Sequence, residues 1–131
     1  MIKYLSLDWI DALSAAVATD TNLKQHAAGI AVGITQVVTD CPDGTVTYHL
    51  QVDNGEVAFG AGAADPEHVR FEQSWETAVG VATGTVNAQN AFISGQIRLY
   101  GDRLLLLEAQ GVLGALNGVF DRVRNETDYS A

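Results

Sequence analysis

The stretch Gly84 to Leu107, GTVNAQNAFISGQIRLYGDRLLLL, decides the reading of this 131-residue chain. Asn87 opens a short helix that carries Ala91, Phe92 and Ile93 inward, and Gly95 stops it, since glycine takes the left-handed backbone of a helix end without steric cost. Gln96 to Tyr100 then offers Ile97 and Leu99 with the period of a strand. Gly101 ends the strand, and Asp102 caps a very apolar helix in which four leucines follow Arg103. No residue of the segment is a catalytic acid, base or nucleophile in an evident setting. A junction this organised but chemically quiet points toward a protein that holds an apolar molecule rather than one that transforms it.

Outward from this segment, Val69, Phe71 and Gln73 alternate as a strand. Ser74 is a helix N-cap ahead of Trp75, Ala78, Val79 and Ala82 at helical spacing, and Gly84 closes that helix. Thr77 stands where a capping box would need a glutamate. After Asp102, Leu105, Ala109, Val112, Leu116, Val119 and Val123 form one stripe, so the pattern predicts a single last helix. Leu106 and Leu113 widen the stripe beside Gln110 and Asn117, while Gly111, Gly114 and Gly118 lie on roughly the opposite side. Each glycine inside a helix costs about 1 kcal/mol relative to alanine. Two readings offset that cost: another backbone packs closely there, or the missing side chains leave volume for a ligand.

The first half of the chain reads as helix and then strands. Leu7, Ile10, Leu13, Ala16 and Val17 predict a helix over 7–18, capped by Ser6 or Asp8, and residues 20–26 suggest a second short one. Residues 29–39 follow as a strand with Ile30, Val32, Ile34 and Val38 in phase. The turn at 41–44 leads to residues 45–52, where Val46, Tyr48, Leu50 and Val52 face a core and Thr45, Thr47, His49 and Gln51 face water. Asn54-Gly55 is a strong hairpin signal, and residues 56–60 return with Val57 and Phe59 on one face. The result is a three-stranded antiparallel meander.

Length and composition predict one domain over residues 1–131, large enough to bury about two-thirds of its unfolded surface. With 16 acidic and 7 basic residues the net charge is −9. That charge argues against nucleic acid as a partner and against more than transient contact with anionic membranes. Arg122 and Arg124, the close basic pair, suit the last turns of a helix. Cys41 has no partner for an intramolecular disulfide, and Asp8 and Asp11 interrupt what a signal peptide would keep apolar. No segment is apolar for the 18 or so residues of a membrane span. The expected setting is cytoplasmic.

The residues from Trp75 to Thr83, Gly84, and then Asn87, Ala88, Gln89, Ala91, Phe92, Ser94, Gly95, Gln96, Ile97, Arg98, Leu99, Tyr100, Gly101 and Asp102 resemble the signature of sterol carrier protein type 2 domains. The resemblance is specific from about Val69 to Leu116; before that it rests on the order of elements. Ala88 stands where proline is common, the last helix is unusually rich in glycine, and the first helix carries its own tryptophan. The resemblance implies an α+β fold, a mostly antiparallel five-stranded sheet covered by helices and enclosing an apolar tunnel for sterols, fatty acids or other lipids.

The ligand-lining candidates are Trp75, Val79, Phe92, Ile93, Leu106, Leu113, Leu116 and Phe120, with Gln110 as polar anchor for a hydroxyl or carboxylate. Plain core packing is the competing role for each apolar residue, and a surface amide is the competing role for Gln110. Burying about 0.8 kcal/mol of methylene at a time, a long acyl chain reaches micromolar affinity without a charged partner. No cofactor or metal is expected: His26, His49 and His68 lack ligand spacing, and Asp40 and Asp43, like Asp8 and Asp11, read as solvated carboxylates. No GxSxG, HExxH, Walker or dinucleotide glycine pattern occurs. Two other function classes stay open. One is a small enzyme of the ketosteroid isomerase type, with Tyr48, Tyr100 and Asp53 doing proton chemistry on an apolar substrate. The other is a module that docks a partner protein or a sister subunit through an exposed apolar face.

Overall fold

A computed structural model of the chain describes residues 2–42 and 44–129. Asp43, Ser130, Ala131 and the side chain of Ala88 lie outside the described residues, and with them part of the turn at 41–44. In chain order the elements are β1 (Ile2–Lys3), α1 (Leu7–Thr19), α2 (Thr21–Ala27), β2 (Ala31–Thr39), β3 (Val46–Asp53), β4 (Glu56–Ala61), β5 (Val69–Ser74), α3 (Trp75–Thr83), α4 (Ala88–Ile93), β6 (Arg98–Gly101), α5 (Arg103–Glu108), α6 (Gln110–Arg124) and β7 (Thr127–Asp128).

Five helices begin where a short polar side chain takes up a free N–H of the first turn. Ser6 accepts from Trp9 N at 3.2 Å, Asp20 from Leu23 N at 2.8 Å and Ser74 from Thr77 N at 3.2 Å. Asn87 accepts from Asn90 N at 3.1 Å and Asp102 from Leu105 N at 3.0 Å. Gly84 ends α3 in the left-handed region at φ 83°, as its sequence position predicts.

The main sheet has the order β4-β3-β2-β5-β6. Its neighbours are antiparallel except β2 and β5, which run parallel. Val32, Ile34, Val38, Leu50, Val52, Phe59 and Val69 are buried on the sheet. Trp9, Ile10, Leu13 and Val17 of α1, Leu23 of α2 and Val112, Leu116, Val119 and Val123 of α6 are buried with them in one cluster. Arg122 pairs with Asp20 at the start of α2, and Arg124 with Asp121 at 2.9 Å. No helix among the described residues is long and apolar enough to cross a membrane.

The other face of the sheet is less wet than alternation predicts. Because β5 lies on the far side of β2 from β4, residues 62–68 cross over that face and dock on it. Ala64 N donates to Thr35 Oγ1 at 2.9 Å, Asp65 N to Gln51 Oε1 at 3.0 Å, and Gln51 Nε2 to the Pro66 carbonyl at 3.3 Å. Hydrogen bonding from Thr35, and then from Arg70, holds the Glu67 carboxyl below the usual range. The Pro66 carbonyl sits where a Cβ on Gly33 would be, so only glycine fits there. His68 Nδ1 accepts from Gly33 N at 2.9 Å. Thr47, His49 and Gln51 are consequently half-buried, and β2 is buried on both faces.

The C-terminal helix differs from the single element predicted. It divides at Ala109 into α5 and α6, with Ala109 at φ −90° and ψ 5° and its N–H shared among the carbonyls of Leu105, Leu106 and Leu107. The turn separates α5, which has no buried residue, from α6, whose apolar stripe enters the core. The glycines of α6 match neither expected reading. Gly111 lies beside the His26 ring of α2, which a Cβ would meet at 2.9 Å, while Gly114 and Gly118 face open space.

The chain termini add a second, two-stranded sheet that the sequence does not advertise. β1 and β7 pair in parallel, with Ile2 N donating to the Glu126 carbonyl at 2.7 Å and Tyr4 N to that of Asp128 at 2.9 Å. Leu5, at φ 63°, turns the chain toward the cap of α1. Tyr4 and Leu5 are both buried as a result.

Candidate functional site

A cavity of about 590 Å³ lies between the inner face of the sheet and the helices, within the size range of small-molecule sites. The sheet contributes Gln36, Tyr48, Phe71 and Gln73. α3 contributes Ala78, Val81 and Ala82; Phe92 of α4 and Ile97 line the same space. α6 supplies Leu113, Leu116, Asn117, Phe120, Asp121 and Arg124, α1 supplies Trp9, and the terminal segments add Tyr4 and Tyr129. Asn117, Asp121 and Arg124 are exposed, so the cavity reaches the surface along the C-terminal half of α6.

One end of the cavity is a continuous aromatic wall. Trp9 stacks on Phe120 at 6.1 Å and meets Tyr4 edge-on at 5.0 Å and Tyr48 at 5.6 Å. Phe59 closes the back of this group at 5.3 Å from Tyr48 and 6.2 Å from Phe120. Tyr129 packs on Tyr4 at 4.8 Å, which is where the pairing of β1 with β7 brings it. Burial pushes the Tyr4 phenol well above its ordinary value, with Tyr48 and Tyr129 adding to the effect. Burial does the same to Tyr48, assisted by Cys41. Both rings therefore present neutral hydroxyls at any physiological pH.

The floor is a lateral row of the sheet. Gln36 pairs directly with Tyr48 on one side and Phe71 on the other, and Phe71 pairs with Leu99. Gln36 Oε1 is buried and has no hydrogen-bond partner among the described residues.

The structure distributes the nine candidate residues unevenly. Phe92, Leu113, Leu116 and Phe120 come together on the cavity lining. Trp75 stands behind it, packed on Tyr4 with centroids 5.4 Å apart. Val79 and Leu106 pack half-buried against the core without lining the cavity. Ile93 does not turn inward: it is 83% exposed, because the six-residue α4 buries Ala91 and leaves Ile93 outward. Gln110 is exposed at the start of α6 and does not reach the cavity. Sequence reasoning missed Tyr4, Trp9 and Tyr129 as lining residues. Gln36 did carry a signal, being in phase with Val32, Ile34 and Val38 on the buried side of β2.

The three groups considered for proton chemistry do not converge. Tyr48 points into the cavity, whereas Asp53, five residues along the same strand, falls on the opposite face and is exposed. Tyr100 is 47% exposed on β6. The histidines have separate tasks, with His68 bonded to Gly33 N and His49 Nδ1 to the Gly62 carbonyl at 3.1 Å. A second hollow of about 420 Å³ is lined by Thr39, Glu72, Ser74, Glu76, Thr77 and Arg98 among others. Its Ser74 and Thr77 hydroxyls are already bonded to each other at 3.1 Å at the start of α3.

Comparison with known proteins agrees with this architecture. The fold is similar to a crystal structure of sterol carrier protein 2, with a TM-score of 0.68 and 17% identity over 89% of this chain and 96% of that one. It is similar to palmitated SCP2L2 from Aedes aegypti, with a TM-score of 0.53 and 19% identity over 79% of this chain and 90% of the other. It is also similar to part of the sec-alkylsulfatase Pisa1 from Pseudomonas sp., with a TM-score of 0.52 and 22% identity over 74% of this chain and 14% of the sulfatase. No curated protein matches in sequence. A model of the SCP-2 sterol transfer family matches residues 10–114, a span that contains the whole of Gly84 to Leu107. The chain belongs to the SCP-2 sterol transfer family.

Proposed function

We propose that the protein binds a fatty acid, sterol or related lipid reversibly in the 590 Å³ cavity and carries it without chemical change. The observation that carries this reading is the cavity itself, walled by Trp9, Phe71, Phe92, Leu113, Leu116 and Phe120, in a chain of a sterol transfer family. An apolar ligand placed there removes both its own surface and that of the aromatic wall from water, at about 25 cal/mol per Å². The palmitate on the similar Aedes aegypti protein supports an acyl chain as one such ligand. Entry runs past Asn117, Asp121 and Arg124 at the end of α6, and α3 with Phe92 closes one wall. The separation of Tyr48 from Asp53 and Tyr100 favours carriage over isomerase chemistry.

Organic extraction and native mass spectrometry of the purified protein test the proposal. The expected result is a mass increment that is lost on denaturation and recovered as lipid in the extract. A protein with no increment that also fails to take up added fatty acid or sterol overturns it. The exposure of Leu104 and Leu107 on α5, at 74% and 59%, favours a second reading in which that helix docks on a sister subunit. Self-association that Leu104→Glu abolishes, in a protein that binds no lipid, would select it.

A further inference from the structure

Gln36 is out of character with its surroundings. It occupies the central strand of the sheet, flanked by Tyr48 and Phe71 in direct register, on the face that otherwise carries Val32, Ile34 and Val38. Its Oε1 is the one buried side-chain oxygen or nitrogen left without a partner among the described residues. The other buried polar side chains are all provided for: Thr35 accepts from Ala64 N, Thr77 pairs with Ser74, and Thr127 donates to the Val123 carbonyl at 2.8 Å. A methionine or leucine would fill the same place without an amide to satisfy, and an unpaired buried acceptor is costly.

Gln36 lies on the lining of the cavity, so a bound molecule that reaches its amide can supply what the protein does not. We infer that Gln36 is the polar anchor of the site, and that the ligand is a hydroxylated lipid whose hydroxyl reaches the cavity floor and donates to Gln36 Oε1. The inference rests on the lipid-binding reading and narrows it. A plain acyl chain lying over Gln36 returns no hydrogen bond and leaves the cost of the unpaired Oε1 in place. A hydroxyl, which both donates and accepts, removes that cost. Discrimination of this kind exceeds what apolar walls achieve, because the weaker ligand leaves a buried group unpaired. The anchoring role expected of Gln110 on sequence grounds passes to a residue 74 positions earlier, since Gln110 is exposed and Gln36 faces the cavity.

The test is a competition series in which palmitic acid and palmitic acids bearing one hydroxyl near the carboxyl end, at mid-chain or on the terminal carbon displace a fluorescent fatty acid. The series is run on the wild-type protein and on Gln36→Met, which keeps the length of the side chain and removes its amide. In the wild-type protein at least one hydroxylated acid is expected to bind about tenfold more tightly than palmitic acid. The position of its hydroxyl reports the depth of Gln36 below the entrance. In Gln36→Met the preference disappears. If every acid binds but the ranking is the same in both proteins, the inference is wrong and the lipid-binding reading stands. If none binds to the folded wild-type protein, the inference falls, and with it the fatty-acid part of the lipid-binding reading.

Discussion

The segment whose sequence pattern is most recognisable and the segments that build most of the cavity are different parts of this molecule. Gly84 to Leu107 carries the recognisable pattern, yet it contributes only Phe92 and Ile97 to the lining, and Ile93, Leu104 and Leu107 stand in solvent. The cavity wall is assembled from Tyr4, Trp9, Tyr48, Leu116, Phe120 and Tyr129, which are scattered over the chain and meet only in the fold. The difference shows what a sequence signature records. Ser74, Gly84, Asn87, Gly95 and Asp102 are residues whose type is dictated by the local backbone, as caps and left-handed turns. Wall residues need only be apolar and of fitting size, a demand that many side chains meet.

Substitution should expose this contrast most strongly at Trp9. Trp9→Ala removes a ring that is 4% exposed and packed on Tyr4, Tyr48, Phe59 and Phe120, and is expected to cost about 3–5 kcal/mol in urea unfolding. Ile93→Ala, within the recognisable segment, should change stability by about 0.5 kcal/mol or less. Equal losses at the two positions would break the comparison.

A smaller effect separates the wall by pH. Tyr4 and Tyr48 stay protonated in the folded state far above the ordinary phenol value, whereas the unfolded chain releases these protons near pH 10. Their contribution is complete below that pH and is lost as pH rises. At pH 11 the loss is about 1.4 kcal/mol per tyrosine. Urea midpoints measured from pH 8 to pH 11 should therefore fall above pH 10, and Tyr48→Phe should lessen the fall. A flat profile would show that the aromatic wall admits hydroxide and water freely. Smaller again is the effect of Asp102→Ala, which removes the bond to Leu105 N and should cost about 1 kcal/mol in the same assay. No loss there would mean that the recognisable segment is not held by its caps.

Much of the fold was legible because it is encoded locally. The strands of the meander, the Asn54-Gly55 turn and the N-caps at Ser6, Ser74, Asn87 and Asp102 follow from residue type and period, and the structure has each of them. The division at Ala109 was not legible, since alanine is the best helix former and nothing at that position signals a turn. The half-buried outer face was hidden because the docking of residues 62–68 on Thr35 and Gln51 depends on strand order, not on alternation. The site was legible only in part. Leu116 follows from the stripe of the last helix and Leu113 from its widened flank, but the inward turn of Tyr4 depends on the pairing of β1 with β7, across the whole length of the chain.

The central claim is that a lipid occupies the cavity between the sheet and α6. Titration of a fluorescent fatty acid into the wild-type protein and into Leu113→Arg, with far-ultraviolet dichroism recorded on both, tests it most directly. Leu113 lines the cavity half-buried, so the variant places a guanidinium in the path of the acyl chain while leaving the buried stripe of α6 intact. The account predicts saturable binding by the wild-type protein and a loss of about 100-fold or more in a variant of unchanged dichroism. Equal affinity in the two folded proteins would contradict it.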